Sequence, residues 1–350
     1  MMQFSLSSSY RTASFALTAA ATSLASSAAL GGLTASNYFA NAALSIDGLG
    51  VLGAGSGQLQ ANVPVGSQVL GAYLYTASVW DRFPNAPVTF NGTQFNPSGG
   101  TLLGPNTNRA TTIRYDVTSI VRSVVEGGSG GLYNFNLQEL GDNDGSVLVV
   151  AYGNASTQGR SALIYDGELA TTGDVTRFNF ANPYSGGNML MSLASSFSNQ
   201  PGLGGGGPQY SLIDVRTSSN PNARRLTSSA GGADDRISGQ SSQNGALITV
   251  GGIGDDPANV DPFAVPGLFQ PNPNPDDELY NLALGNVVDA NPFVSLGDTW
   301  LELNTLNPSN DDNVFGMFVS ADFMIDNPIP APPTLALLAA VGLAGRRRRR

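Results

Sequence analysis

The sequence predicts an all-β protein: a large antiparallel β-sandwich, jelly-roll-like, with long loops and one or two short helices. Three observations predict it. Short β-prone runs recur along residues 34–327, each bounded by turn residues. Gly (43) and Pro (21) are abundant in a chain of 350 residues, so turns are frequent. Two dipeptides with a hairpin signature, Asn91-Gly92 and Asp144-Gly145, lie between β runs. A body of roughly 290 residues suffices for one large β domain or two smaller ones.

The elements follow in order. Residues 1–33 read as a secretory signal peptide with a signal helix. Met1 to Tyr10 is polar, Arg11 is the only positive side chain, and Ala13 to Leu30 is rich in Ala, Leu and Ser. Ser26-Ser27-Ala28 supplies small residues for cleavage. Strands are expected in Val69–Trp80, Val88–Phe95, Leu132–Leu137, Ser146–Tyr152, Ser161–Tyr165, Val175–Phe180, Ala246–Val250, Trp300–Thr305 and Val314–Ile325. Asp144-Gly145 is expected to join Leu132–Leu137 and Ser146–Tyr152 as a hairpin. A helix of a turn or two is expected after Asp116, which can cap it. Val117, Ile120, Val121 and Val124 recur there at helical spacing, and Gly127-Gly128 stops the segment. Asp276-Asp277 is placed to cap a second short helix through Glu278–Leu282. Gly202 to Gly207 reads as a linker or loop tip, since no lysine follows it as a phosphate-cradling loop would require.

Composition excludes several chemistries. The chain has no Cys, no His and no Lys; all 16 basic residues are Arg. A Ser-His-Asp triad, a Cys nucleophile, a Schiff-base lysine and a P-loop lysine are therefore impossible, and zinc lacks its usual ligands. Disulfides cannot form. Six arginines lie in the leader and tail, so the body keeps ten against 26 acidic side chains, a net charge of −16. Such a body repels nucleic acid and anionic lipid. Only carboxylate chemistry remains for an enzyme, as in a paired-carboxylate glycan hydrolase.

Acidic residues cluster in predicted loops: Asp142 and Asp144, Asp234 and Asp235, Asp255 and Asp256, Asp311 and Asp312. Carboxylates on flexible loops suit Ca²⁺, which takes six to eight oxygen ligands. Asp142-Asn143-Asp144-Gly145 lacks the length and downstream Glu of an EF-hand loop. Each cluster taken alone fits a turn or cap with solvated charge better than a Ca²⁺ site. Trp80, Tyr73, Tyr75 and Trp300 are candidates for stacking on sugar rings, with Tyr73 and Tyr75 on one strand face.

The C-terminus has a three-part order. Pro330, Ala331 and Pro332 precede an apolar run from Thr334 to Gly345, and Arg346, Arg347, Arg348, Arg349 and Arg350 end the chain. Twelve residues make a short apolar helix of roughly 18 Å at about 1.5 Å per residue, against the roughly 20 residues of a full crossing. The arginines would stay cytoplasmic. Residues 328–350 resemble the PEP-CTERM signal of exosortase-processed bacterial proteins, with Pro-Ala-Pro where that family has Pro-Glu-Pro. The resemblance implies export through the secretion machinery, transient membrane anchoring, and cleavage near Pro330 by an exosortase-like membrane protease. Such proteins occur in bacteria that make an extracellular polysaccharide matrix. Val69–Tyr75, Val88–Gly92, Tyr115–Thr118, Gly145–Tyr152 and Leu163–Gly167 are similar to strands and turns of exported bacterial β-sandwich proteins, a likeness that implies no catalytic residues. The expectation is a non-enzymatic structural or adhesive protein of the cell surface or extracellular matrix. Carbohydrate binding, with extracellular polysaccharide as partner, and carboxylate-based glycan hydrolysis are the alternatives.

Overall fold

The computed structural model describes residues 32–51, 54–78, 85–104, 111–170, 172–197, 211–230, 242–243, 248–259, 278–306 and 312–329. Strand β1 (Gly32–Ala40) comes first. Strands β2 (Ala43–Gly50), β3 (Gly55–Val63), β4 (Gln68–Ser78), β5 (Val88–Phe90), β6 (Thr93–Phe95), β7 (Thr101–Leu103), β8 (Thr111–Asp116), β9 (Gly131–Glu139) and β10 (Gly145–Gly153) build a first sandwich, with helix α1 (Thr118–Val125) between β8 and β9. The rest of the chain supplies β11 (Ser161–Glu168), β12 (Asp174–Asn179), β13 (Met189–Phe197), β14 (Ser211–Thr217), β15 (Arg224–Ala230), β16 (Ser242–Gln243), β17 (Ile248–Val250), β18 (Leu279–Asn281), β19 (Trp300–Leu306) and β20 (Asp312–Ala321).

In the first sandwich, an inner sheet ordered β16-β2-β10-β4-β8-β7 faces an outer sheet ordered β3-β9-β5-β6. In the second, an inner sheet ordered β1-β11-β20-β13-β17 faces an outer sheet ordered β12-β19-β14-β15, and β18 also pairs with β13. The two halves repeat one topology. The order β2-β10-β4-β8 over β3-β9-β5-β6 becomes β11-β20-β13-β17 over β12-β19-β14-β15, which is a jelly roll made twice. The expected antiparallel sandwich is present, as two units.

The inner sheets pack on each other, so the molecule has four layers and three interiors. Leu59, Phe90, Phe135 and Leu137 of the first outer sheet meet Leu74, Tyr115 and Leu148. Ile46, Tyr75, Val147 and Val149 meet Ile164, Ile248, Phe315 and Phe318 between the inner sheets. Tyr165, Met191, Met317 and Val319 meet Phe178, Ile213, Val215 and Leu303 of the second outer sheet. Residue patterning follows this layering. Along β9 and β19, exposed and buried residues alternate, as one covered face requires. Nearly all of β10 and all of β11 are buried, as two covered faces require. A one-residue bulge in β20, opposite Ala194 and Ser195, carries Phe315 and Phe318 into the middle layer.

Several expected elements form with small shifts. Asn91 (φ 46°) and Gly92 (φ 85°) turn β5 into β6, the two positive φ angles of a type I′ turn. Helix α1 starts one residue later than expected. Val117 takes the N-cap position, and the Asp116 carboxylate accepts from the Thr118 N–H at 2.9 Å. Val121 and Val125 are its buried residues.

Two expectations are corrected. Asp144-Gly145 does not close a hairpin. Strand β9 belongs to the outer sheet and β10 to the inner one, so this turn carries the chain between layers. The physical reason is burial, since β10 needs cover on both faces and β9 on one. Glu278–Leu282 is not a helix. Leu279–Asn281 is a strand on β13, and a segment this short gains more from sheet pairing than from one helical turn. Trp80, the signal-peptide helix and the C-terminal apolar helix lie outside the described residues, as do Pro330, Ala331, Pro332 and Arg346–Arg350.

Candidate functional site

Carboxylates sit mainly where the chain is covered, on strands and strand ends. Asp47, Glu139, Asp144, Asp166, Glu168, Glu278 and Asp298 are buried. One of them, Asp166 of β11, lies at the seam between the inner sheets. Its Oδ2 accepts from Tyr75 Oη at 2.9 Å, Ser36 Oγ at 3.0 Å and Arg114 Nη1 at 2.5 Å. Tyr75 and Arg114 come from the first sandwich, on β4 and β8; Ser36 and Asp166 come from the second, on β1 and β11. Burial, then the Asp166 charge, pushes the Tyr75 phenol well above its usual range, so it stays a donor. The Arg114 guanidinium also lies 5.6 Å from the centre of the Tyr73 ring, and Asn37 donates to Tyr73 Oη at 2.9 Å. The cluster ties one sandwich to the other.

A second buried group closes a sheet edge. Strand β3 is an edge strand, whose outward N–H groups would otherwise lack partners. Asp47 Oδ2 accepts from Gln60 N at 2.5 Å and Ser45 Oγ accepts from Asn62 N at 2.8 Å. Burial raises the Asp47 carboxyl from 3.8 to about 7, against the lowering effect of the Gln60 and Gly48 N–H groups. Glu139 is likewise raised by burial, although Ser146 and Asn143 donate to it.

The acidic residues expected to gather around Ca²⁺ are placed separately. Asp142 is exposed, Asp144 is fully buried, and the buried Asn143 between them binds the Ala86 backbone. Asp255 accepts from Gly252 N at 2.5 Å and so closes its own turn, and Asp256 is exposed. Asp312 opens β20. Asp234, Asp235 and Asp311 lie outside the described residues. Among the described residues, no three His, Cys, Asp or Glu side chains form a group able to hold a metal ion.

Among the described residues, Tyr73, Tyr75 and Trp300 do not form an exposed aromatic platform. Tyr75 is fully buried against Phe315 and Phe318, and Tyr73 is half-buried beneath Arg114. Trp300 is half-buried, with the Arg177 guanidinium 4.2 Å from its ring centre. A cleft of about 270 Å³ opens between the edge of β2 and the second inner sheet. Leu44, Ile46, Asn62, Tyr152, Ser192 and Phe318 line it, and no carboxylate is among its described lining residues.

The two outer sheets hold equivalent places in the two jelly rolls but differ in chemistry. The second outer sheet presents charged pairs: Arg216 with Glu302, Arg225 with Asp214 at 2.6 Å, and Arg177 over Trp300. The first presents amides. Gln58 Nε2 donates to Asn136 Oδ1 at 3.2 Å, and Gln60 Nε2 donates to Asn134 Oδ1 at 2.7 Å. The sequence already shows Gln58, Gln60 and Asn62 at alternate positions, and Asn134, Asn136 and Gln138 likewise, a signal overlooked when strands were sought only through apolar residues.

Among the described residues, no helix is long and apolar enough to cross a membrane. No protein-family model and no curated protein sequence matches the chain. One solved structure with some likeness is the crystal structure of the major capsid protein P2 from Bacteriophage PM2. Identity is 11% and the TM-score 0.18, over 81% of this chain and 98% of that one. At that TM-score the likeness places neither fold nor function.

Proposed function

We propose that the protein is an exported structural component of the bacterial cell surface or extracellular matrix, released from its C-terminal membrane anchor by an exosortase-type protease. The observation that carries this reading is the three-part C-terminal order of Pro330-Ala331-Pro332, the apolar run Thr334 to Gly345 and Arg346–Arg350. Among the described residues, the core of the body runs from Leu33 in β1 to Ile325 just after β20. Both ends are fastened to one sandwich. Tyr38 Oη donates to Ile325 O at 2.9 Å, Ile325 N donates to Ser161 Oγ at 2.9 Å, and Phe180 bridges Ile325. Gly32 and Leu33, placed in the expected leader of residues 1–33, belong instead to β1 of the body. Four layers bonded through a buried ionic seam make a stiff unit, which suits a load-bearing or spacing role.

The test is the intact mass of the protein recovered from culture medium. The expected species starts at or before Gly32, because Leu33 packs in the core, and ends near Pro330. Recovery of a chain ending at Arg350 overturns the reading. A strain lacking the protease should instead hold the protein in its membrane fraction.

A further inference from the structure

We infer that the outer face of the sheet β3-β9-β5-β6 is a docking surface for an uncharged polysaccharide. The inference rests on the matrix reading for its setting, and on the chemistry of this face for its partner. Ten side chains point outward: Ser56, Gln58, Gln60 and Asn62 from β3, Leu132, Asn134, Asn136 and Gln138 from β9, Thr89 from β5 and Gln94 from β6. None is charged. The chain is 12% charged, so ten positions would hold about one charged side chain by composition alone. The matching sheet of the second jelly roll does carry its charges, in the Arg216–Glu302 and Arg225–Asp214 pairs.

Register sets these side chains in a grid. Ser56, Gln138, Thr89 and Gln94 form one row across four strands. Gln58–Asn136, Gln60–Asn134 and Asn62–Leu132 form three more across two. Strand geometry spaces rows by about 6.8 Å and columns by about 4.8 Å, a flat patch roughly 20 Å long.

An amide offers one acceptor oxygen and two N–H donors. The cross-strand bonds fix how the amides are turned. In the Gln58–Asn136 pair, one Gln58 N–H is used, which leaves Gln58 Oε1 and Asn136 Nδ2 able to bond a ligand. A sugar hydroxyl is both donor and acceptor and can bridge such a pair. Amides already held in place lose little freedom on binding. An acidic glycan gains nothing from a face without cations, and the body's net negative charge repels it. A protein partner would find no apolar centre to bury, since Leu132 is the one large apolar side chain here. A long neutral glycan engages the grid repeatedly, so weak single contacts add through many copies of the protein.

The experiment is retention of the full chain on insoluble neutral polymers, namely microcrystalline cellulose, β-1,3-glucan and starch granules, with alginate beads as the anionic comparison. The expected result is retention on at least one neutral polymer. Asn134→Ala/Asn136→Ala/Gln138→Ala should lower the partition coefficient at least tenfold with an unchanged unfolding midpoint. The near-isosteric Asn134→Asp/Asn136→Asp should do the same, and Arg177→Ala on the opposite face should leave retention as it was. No retention on any neutral polymer, retention only on alginate, or equal retention of the triple variant overturns the inference. So does a wild-type dimer in sedimentation that the triple variant loses, because the face then covers a second copy. Retention of purified protein does not depend on how its ends were processed. Failure here leaves the export reading standing, and a full-length mass leaves this one standing.

Discussion

Replacing Asp166 by Asn tests whether the two sandwiches are locked by charge. The side chain keeps its shape, and an amide oxygen in place of Oδ2 still faces Tyr75, Ser36 and Arg114. What disappears is the negative charge at the meeting point of three donors. Arg114 is then left without its counter-ion at 21% side-chain exposure. Breaking a buried ion pair from one side costs about 3–5 kcal/mol. Partial access of water to Arg114, and its position over Tyr73, argue for the lower end, about 3 kcal/mol. In a body of this size that is a fall in unfolding midpoint of about 5 °C. Tyr75→Phe keeps the ring between Phe315 and Phe318 and removes one bond to a carboxylate, worth about 1.5 kcal/mol. Because both changes act on the same oxygen, the double variant should lose about 1 kcal/mol less than the sum. Urea unfolding of the four proteins of this cycle measures both quantities. A loss below about 1 kcal/mol for Asp166→Asn, or strict additivity with Tyr75→Phe, would refute the argument that this seam is held electrostatically.

Two further outcomes follow from local geometry. Asp47 binds its proton more tightly in the folded chain, with a pKa raised from 3.8 to about 7. Stability should therefore fall as pH rises between those values and level off above them. Asp47→Asn, still accepting from Gln60 N, should flatten that slope and gain on the order of 2 kcal/mol at pH 8; parallel pH–stability curves for the two proteins would contradict this. Gly92 turns at φ 85° with open space around its Cα. Gly92→Val should thus cost only backbone strain, about 1–2 kcal/mol, read as a lower urea midpoint, and an unchanged midpoint would speak against the type I′ turn.

The strand segments were legible because β prone runs mark them, and the Asn91-Gly92 turn because its residues tolerate positive φ. The layering was legible too, in a contrast that a search for alternation passes over. Leu132 to Leu137 alternates, whereas Val147 to Ala151 is apolar throughout. The first pattern belongs to an outer sheet and the second to an inner one, and that is why the turn between them changes layers. Strands β1, β2, β3, β7, β8, β13, β14, β15, β16 and β18 fall outside the expected runs; in β2 and β3, for example, Ser, Asp, Gln, Asn and Gly interrupt the apolar residues. The acid pairs drew notice by adjacency in sequence, yet Asp47 and Asp166, whose carboxylates bond across strands, are isolated in sequence. Their partners arrive from other strands, 91 residues away in the case of Tyr75 and Asp166, and no local pattern announces such a meeting.

Strand β1 has a consequence for the order in which the chain can be completed. It precedes the first jelly roll in sequence but pairs with β11, the first strand of the second; Thr34 and Asp166 meet across 132 residues. A chain delivered N-terminus first presents β1 early and leaves it waiting while the entire first jelly roll is threaded through. That first unit has its own interior, and only the short β16 (Ser242–Gln243) joins its inner sheet from later in the chain. Only when β11 emerges does the waiting strand find its ladder, and with it the hydroxyl of Ser36 reaches the seam. Late pairing of this range is slow. Assembly is thus completed late, and strand β1 acts as a clasp that fastens once the second half has arrived.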